Sequence, residues 1–557
     1  MTPIIECVPN FSEGRDPRII QEITNEIESV EGVRLLNVDP GKATNRTVVT
    51  FVGAPEAVAE AAFRAIRKAG VCIDMRRHQG AHPRMGATDV CPLIPISGIS
   101  MEETARWAEK LAERVGHELG IPVYLYEAAQ RNKDRSNLSV IRAGEYEGFA
   151  EKIKKPEWKP DFGPSVFDEK RGATVIGARD FLVAYNVNLN TTSVRRANSI
   201  AFDVREAGRI KREGDPVYGN IVKDEKGQPV MVPGSLKSVK AIGWFIKEYG
   251  IAQISMNLTN LSVTPLHIAF DEVCRKADAR GIRITGSELV GLIPLQSLLD
   301  AGKYFLKKQS RPAGLSEKEL IRIAILTMGL DELAPFKPEE RIIEYLLKDP
   351  SDEKLVRLSL SDFADETASE SPAPGGGSVA AYLGALGAGL GAMVANLSAQ
   401  KKDWARFSDW AEKASGYKQE LVALVDADTK AFEGIMQARE LPKTTESEIA
   451  FRLEKIQEAT LKAIEVPFRV MQVALQSMEV IQAMAESGNP NSKSDAGVGA
   501  LCARSAVLGA FLNVCINAAG SENDKNISAM MAEGKKMQAQ AIQREKVILD
   551  MVGLTNQ

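Results

Sequence analysis

TVVTFVG (47–53) runs into PEAVAEAAFRAIRKAG (55–70), and this pair sets the grammar of the first half of the chain. The first stretch is rich in β-branched and aromatic residues and predicts a strand. The second has Pro at its start, Gly at its end and the composition of a helix between them. Outward from this pair the same alternation repeats. IIECV (4–8), RLLNV (34–38) and PVYLYE (122–127) predict further strands, and ISMEETARWAEKLAERVGHELG (99–120) a helix opened by a Ser100–Glu103 capping box. Strands alternating with amphipathic helices predict an α/β sandwich, helices packed on a sheet.

The grammar restarts near residue 173. ATVIGA, FLVAYNVNL, IAQISMNLTNL and IRITGSELVGLIP read as strands, and SVRRANSIAFDVREAG and TPLHIAFDEVCRKADARG as helices. Residues 213–234, EGDPVYGNIVKDEKGQPVMVPG, carry the turn chemistry of a surface hairpin or flap. After about residue 356 strand alternation disappears. Long Ala-, Lys-, Glu-, Met- and Leu-rich patterns are broken only at PAPGGGS (372–378), LPKTT (441–445) and SGNPNSKSD (487–495), which predicts an all-α bundle. The expected organisation is multidomain: α/β subdomains over 1–178 and 179–329, a linker over 330–355 and a helical domain over 356–557.

Composition narrows the function. The chain has 557 residues, 26% charged and 44% hydrophobic, with a formal net charge of −4. That near balance gives no electrostatic case for nucleic acid as a partner. Six scattered cysteines without a C-x-x-C pair and four dispersed histidines predict reduced thiols, a cytoplasmic setting and no metal. The first residues lack a basic region followed by an apolar one, so no secretory signal is expected. VAAYLGALGAGLGAMVANLS (379–398) is uncharged and long enough to cross a bilayer. Small residues at Ala380, Gly384, Ala388 and Ala392 favour instead a helix buried against close neighbours, with no membrane and with self-association into a homo-oligomer.

Four segments could carry chemistry. RRHQGAHPRMGATDVCPL (76–93) sets His78 and His82 on a Gly/Pro-containing loop beside Arg84. A loop histidine there either exchanges protons near neutral pH or hydrogen-bonds the backbone of a turn. NVDPGKATNRT (37–47) brings Asp39, Asn45 and Arg46 to a strand end, either to recognise an amino-acid substrate or as an Asx turn with a surface pair. APGGGSVAA (373–381) opens a helix with Gly375, Gly376, Gly377 and Ser378. It is an anion site or a flexible entry into a packed helix, and it fits no nucleotide motif. LVDADTKAF (424–432) places Asp426 and Asp428 on different faces of a helix, one of them toward a helix–helix groove where its pKa would rise.

Together these segments resemble the bifunctional formimidoyltransferase-cyclodeaminase family over essentially the whole chain. ECVPNFSEGRD, ATNRT, RHQGAHPRMGATDVCP, IPVYLYE, IRAGEYEG and PDFGPS are similar to the transferase's first subdomain, and GATVIGARDFLVAYNVNLNT and GWFIKEYGIAQISMNLTN through GSELVGLIPL to its second. SPAPGGGSVAA, LVDADTKAF, LPK and KSDAGVGAL are similar to the cyclodeaminase domain. The resemblance implies transfer of a formimino group from N-formimino-L-glutamate to N5 of tetrahydrofolate, then cyclisation to 5,10-methenyltetrahydrofolate with release of ammonia. It implies small-molecule substrates only, with tetrahydrofolate as acceptor in polyglutamylated form. His82 would be the transferase acid/base, Asp39 would orient or polarise that site, and Asp428 would be the cyclodeaminase carboxylate. GPSVFDEKRG (Gly163, Pro164, Ser165, Val166, Phe167, Asp168, Glu169, Lys170, Arg171 and Gly172) matches the family's folate segment. The 213–234 insertion is much longer than the link in animal-type members, which puts folate contacts such as Lys237 in doubt. Two alternatives stay open for the helical domain: a methenyltetrahydrofolate cyclohydrolase, or a non-catalytic oligomerisation module.

Overall fold

The computed structural model describes residues 3–42, 44–80, 83–215, 218–348, 353–399, 403–520 and 524–553. The chain forms two compact units, Met1–Ser297 with Met328–Leu347, and Leu298–Thr327 with Lys348–Gln557. The sequence assigns 179–329 to one subdomain and 330–355 to a linker, whereas packing sorts these residues differently. Residues of 298–327 are tied to the helical unit: the Ala313 N–H donates to Ser408 Oγ (3.0 Å) and Asn396 Nδ2 to the Gly314 carbonyl (2.9 Å). Glu412 pairs with Lys303 and Lys307. Residues 328–347 return to the first unit, where Ile342 bridges Ile293.

The first unit begins with a seven-stranded mixed sheet built from β1 (Ile4–Cys7), β2 (Asn10–Phe11), β3 (Val33–Gly41), β4 (Arg46–Gly53), β5 (Thr88–Ser97), β6 (Val123–Glu127) and β7 (Thr174–Ala178). β1 and β2 lie in succession between β4 and β5. The order across the sheet is β3, β4, β1 with β2, β5, β7, β6, with parallel pairing only between β5, β7 and β6. Helices α1 (Pro17–Glu28), α2 (Pro55–Cys72) and α3 (Met101–Glu118) cover one face. Val49 and Phe51 of β4 meet Val58, Ala62 and Ile66 of α2 in that core. Pro55 opens α2, and Ser100 and Glu103 form the reciprocal capping box at α3.

The opposite face of β5, β6 and β7 is closed by a smaller cluster of Tyr124, Tyr126, Val175, Ile141 and Phe149. One buried ion network ties this side together. Asp89 of β5 has no solvent exposure, takes the Arg46 guanidinium of β4 at 2.5 Å and that of Arg142 at 2.6 Å, and accepts the Met85 N–H at 2.9 Å.

The second α/β layer is an antiparallel sheet in the order β11 (Val239–Ile246), β12 (Ile251–Leu258), β8 (Val183–Leu189), β13 (Ile284–Val290). α4 (Val194–Val204) and α5 (Leu266–Asp278) belong to this subdomain, and α4 packs on β11 and β12. Between α4 and β11 the chain makes a flap closed by the short strands β9 (Arg209–Ile210) and β10 (Met231–Val232). Period-two alternation splits β8: Tyr185, Val187 and Leu189 enter the core, while Asn186 and Asn188 occupy the other face.

The second unit is a bundle of α6 (Gly376–Ser398), α7 (Trp404–Glu440), α8 (Glu446–Ser487), α9 (Lys493–Ala518) and α10 (Lys525–Val552). α6 and the segment that contains α9 are each long and apolar enough to span a bilayer by length and composition. In the bundle α6 packs against α7, α8 and α9. Ala380, Gly384, Ala388 and Ala392 are all buried, and a Cβ on Gly384 would lie 3.2 Å from Leu421 and 3.3 Å from Ala506. Small residues let these helices approach closely.

Asp89→Ala leaves two guanidinium groups buried without their shared carboxylate. The expected loss is about 3–5 kcal/mol from the first unit, read as a lower urea midpoint by tryptophan fluorescence; an unchanged midpoint would refute the network's role.

Candidate functional site

The loop carrying the two histidines is held from below by the β3–β4 turn. Asn45 adopts a left-handed φ of 49°, a conformation asparagine tolerates better than most residues. Its Oδ1 accepts the Gly14 N–H (3.0 Å) and its Nδ2 donates to the Gln79 carbonyl (3.1 Å). A Cβ on Gly80 would fall 2.1 Å from the Thr44 carbonyl oxygen, so only glycine lets the loop pass here. His78 is consumed in this lock. Its Nε2 lies 2.8 Å from the Asn45 carbonyl and its Nδ1 accepts from Arg84 Nε at 3.2 Å, which fixes a neutral Nε2–H tautomer. Burial lowers its pKa, in keeping with that assignment. His82 lies outside the described residues.

The predicted cations of this region are engaged by the protein itself. Arg84 grips Glu147 through two bonds of 2.8 and 2.7 Å and reaches Glu145 at 3.3 Å. Arg46 sits in the Asp89 network and donates to Asn10 Oδ1 at 3.0 Å. Asp39 is not in a turn: β3 continues to Gly41, and Asp39 is exposed. Pairing of Asp39 with Val48 and Gly41 with Arg46 puts Asp39 and Arg46 on the same face of the ribbon. Gln79, Gly80, Arg84, Gly144 and the two glutamates line a cleft of about 480 Å³.

The 163–172 segment divides in two. Asp168 accepts the N–H groups of Lys170 (3.1 Å) and Arg171 (2.9 Å) and pairs with the Arg171 guanidinium at 2.5 Å. Arg171 also donates to the Leu119 carbonyl, Lys170 Nζ to the Val71 carbonyl, and Tyr146 Oη to the Glu169 carbonyl. Phe167 packs against Tyr146 and Phe149. Gly163 needs its left-handed φ of 83° to pass the Ile121 carbonyl, and Gly172 is likewise left-handed. Between these anchors Pro164, Ser165 and Val166 are exposed.

Two polar features escaped the sequence reading. Glu6 is buried in β1 at 3% exposure; desolvation pushes its carboxyl up to about 7, with Arg179 pulling the other way. On the second sheet, Trp244, Gln253 and Asn188 stand in one cross-strand row and Ser255, Asn186 and Glu288 in the next. Gln253 Nε2 donates to Asn188 Oδ1 (2.8 Å), Trp244 Nε1 to Gln253 Oε1 (3.1 Å), and Asn186 Nδ2 to Glu288 Oε2 (3.0 Å). Lys240 lies on this same face, and its charge acts on Glu127 at the end of β6. The signal was present: amides at alternate positions of YNVNLN, and a carboxylate inside the apolar run IIECV.

In the bundle the glycine run and the aspartate meet. Gly375 caps α6, and Gly377 faces Asp428 of α7 so closely that a Cβ would lie 2.2 Å from Oδ1. Ser378 is fully buried; its N–H donates to the Asp428 carboxylate, and its Oγ lies 3.2 Å from Oδ2 and 2.8 Å from the Val425 carbonyl. Desolvation raises the Asp428 pKa, and the two Ser378 hydrogen bonds oppose it. A Cβ on Gly376 would approach Asn513 Nδ2 at 3.3 Å, which places α9 beside the same helix start. Asp426 has a different task, accepting the N–H groups of Leu355 (2.8 Å) and Val356 (3.2 Å). Phe432 and Met436, one and two turns beyond Asp428, are exposed and extend its face as an apolar wall, which i, i+4, i+8 spacing could have revealed.

Comparison with known proteins covers both units. Residues 4–179 match the description of the formiminotransferase domain, N-terminal subdomain, and 184–348 that of the formiminotransferase domain. Residues 359–536 match formiminotransferase-cyclodeaminase. A formimidoyltransferase-cyclodeaminase of Gallus gallus is 44% identical over 93% of this chain and 93% of its own length. A glutamate formimidoyltransferase of Thermoplasma acidophilum is 44% identical over 55% of this chain and 92% of its own. A methenyltetrahydrofolate cyclohydrolase of Methylorubrum extorquens is 38% identical over 31% of this chain and 89% of its own.

Burial raises the Asp428 pKa in the folded state, so its contribution to stability is full while the group is protonated and is lost as pH rises through that raised value. Asp428→Asn should therefore raise the melting temperature of the bundle near neutral pH, with the gain shrinking to nothing below the ordinary aspartate range. Equal melting of the two proteins at every pH would remove the desolvation account.

Proposed function

The chain belongs to the formiminotransferase-cyclodeaminase family, and from that premise we propose how its two activities are divided. The first unit moves a formimino group from N-formimino-L-glutamate to N5 of tetrahydrofolate. The helical unit closes the product to 5,10-methenyltetrahydrofolate and releases ammonia.

In the transfer, N5 attacks the amidine carbon. A base takes the N5 proton and, as its conjugate acid, returns it to the departing glutamate nitrogen. Imidazole does both near neutral pH, and His82 is our assignment for it; such positioned proton transfer contributes about 10²–10⁴-fold. His78 is unsuited, since both its ring nitrogens hold the loop. Asp39, on the same face as Arg46, supplies negative potential to this side of the sheet. The exposed Pro164–Val166 stretch, between the two glycine-bounded anchors, is our folate contact.

In the cyclisation, N10 attacks the formimino carbon of the amidinium and Asp428 takes its proton. The neutral tetrahedral adduct, its carbon bonded to N5, N10 and the amino nitrogen, collapses when the same carboxyl gives the proton to the amino nitrogen, which leaves as ammonia. A carboxylate with a raised pKa suits both halves. The observation that carries this assignment is the fit of Asp428 into the space left by Gly377, against the N–H of Ser378. Phe432 and Met436 offer the flat apolar surface that a pteridine needs. Both steps couple proton transfer to C–N bond making and breaking and call for no metal.

We place the protein in the cytoplasm, supported by six unpaired thiols, and as a homo-oligomer acting on polyglutamylated folate. Self-association is supported by exposed Leu386, Met393 and Leu397 on α6 and Leu501, Leu512 and Ile516 on α9, apolar groups that a further copy would cover.

With tetrahydrofolate and N-formimino-L-glutamate the protein should yield glutamate, ammonia and methenyltetrahydrofolate together. His82→Ala should lower glutamate release by about 10²–10⁴-fold while still deaminating supplied 5-formiminotetrahydrofolate. Asp428→Ala and Gly377→Ala should do the reverse. A folded variant that loses both activities would overturn the division. The cyclohydrolase named among the relatives supports a second reading, hydrolysis of the methenyl ring, which water consumption without ammonia would reveal.

A further inference from the structure

The flap of the second subdomain encloses space whose charge the transfer and cyclisation do not use. Its described arms are tied by backbone bonds: Lys211 N–H donates to the Val230 carbonyl (2.7 Å), Val222 to Lys211 (3.0 Å) and Val230 to Val222 (2.9 Å). Three cavities of about 510, 480 and 320 Å³ lie between this flap, α4 and the end of α5. They share walls, Arg195 and Ser199 between the first two and Phe202, Arg209 and Arg212 between the first and third, and so form one cleft.

Eight arginines and lysines line the cleft against two carboxylates, Asp203 and Asp215. One of those carboxylates is already claimed: Asp203 takes the guanidinium groups of both Arg209 and Arg280 at 2.5 Å. This surplus stands in a chain whose net charge is −4, so it is a local accumulation and not a consequence of composition. Like charges gathered in a concave, partly dry site repel one another unless an anion joins them. Arg195 and Arg212 form no ion pair with a carboxylate among the described residues; Arg212 Nη1 donates to the Gly219 carbonyl (2.8 Å), which leaves its second terminal nitrogen for a ligand. Two guanidinium planes are set by aromatic rings: Arg195 lies 3.9 Å from the Tyr218 centroid and Arg205 4.0 Å from that of Phe202. A guanidinium held against a ring loses little entropy on bidentate oxyanion binding; Arg195 is so placed, whereas Arg205 also donates its Nε to the Gly208 carbonyl (2.9 Å). Phe202, Ile210 and Met231 supply an apolar wall to the largest cavity.

None of the residues lining the cleft is among those assigned to the transfer or lining the cleft at Arg84. α4 packs on the side of β11 and β12 that holds the subdomain's core, and the Asn186–Gln253–Glu288 rows occupy the other side. We propose that this cleft binds a small ligand with two or more adjacent oxyanion groups, phosphoryl or carboxylate, joined to a flat apolar body that lies against Phe202, Ile210 and Met231. The volume suits a small molecule better than a polymer. The proposal is independent of the functional reading above, because its test reads binding and not turnover.

The test is calorimetric titration of the full chain with ADP, inorganic pyrophosphate and triglutamate in turn, at two salt concentrations. Saturable, salt-weakened binding is expected, tightest for the probe that carries a flat body, ADP. The Arg195→Gln/Arg212→Gln double variant should bind at least about tenfold more weakly, with its transferase rate and circular dichroism unchanged. Arg195→Lys/Arg212→Lys, which keeps the charge but not the fork, should fall between. ADP or pyrophosphate bound through these arginines assigns phosphate as the oxyanion, and triglutamate bound through them assigns carboxylate. Failure of all three probes to bind, or equal affinity in the double variant, overturns the site.

Discussion

Asp89 is a carboxylate without solvent exposure, and the packing around β5 in the first unit depends on it. It joins Arg46 of β4 to Arg142 beyond β6, and it accepts the Met85 N–H at the end of the histidine loop. A buried charge is costly unless paired and hydrogen-bonded, and here both requirements are met, by Arg46 and Arg142 and by the Met85 N–H at the loop's end. The same arrangement explains why cations that look suited to substrate are unavailable to it. Arg46 answers Asp89, and Arg84 answers Glu147 and His78. These side chains build the frame around the loop that ends at Met85.

The helical unit reaches the same end by a different route. Its aspartate is half-buried rather than enclosed, and what positions it is the absence of a side chain. Gly377 lets the start of α6 press against α7 until the Ser378 N–H reaches the carboxylate. Desolvation then raises the pKa while the hydrogen bonds at the helix start oppose the rise. Glycine and alanine along α6 extend the close approach down the bundle, so the packing that stabilises the unit is also what brings Asp428 against Ser378.

Charge and polarity are segregated in the second α/β layer. One side of its sheet carries a row of mutually hydrogen-bonded amides with Glu288, and the other, beyond α4, carries an arginine-lined cleft under the flap. A strand alternating with period two allows this separation, since neighbouring residues face opposite sides.

The sequence alone determined the grammar of two α/β layers and a bundle, because strand and helix periods and their punctuating Pro and Gly are local signals. It also singled out the loop of His78 and His82, the glycine run at 375–377 and Asp428, through runs of residues that resemble one family. Tertiary structure decided what local signals could not carry. It turned Asp426 to the 355–356 backbone and Asp428 to the groove, consumed Arg46 and Arg84 in ion pairs, and drew 298–327 into the helical unit. It also gathered Glu6, the amide rows and the flap arginines, whose partners lie far away in the chain. Burial, pairing and desolvation are properties of neighbours in space, and the order of residues does not specify them until the chain has folded.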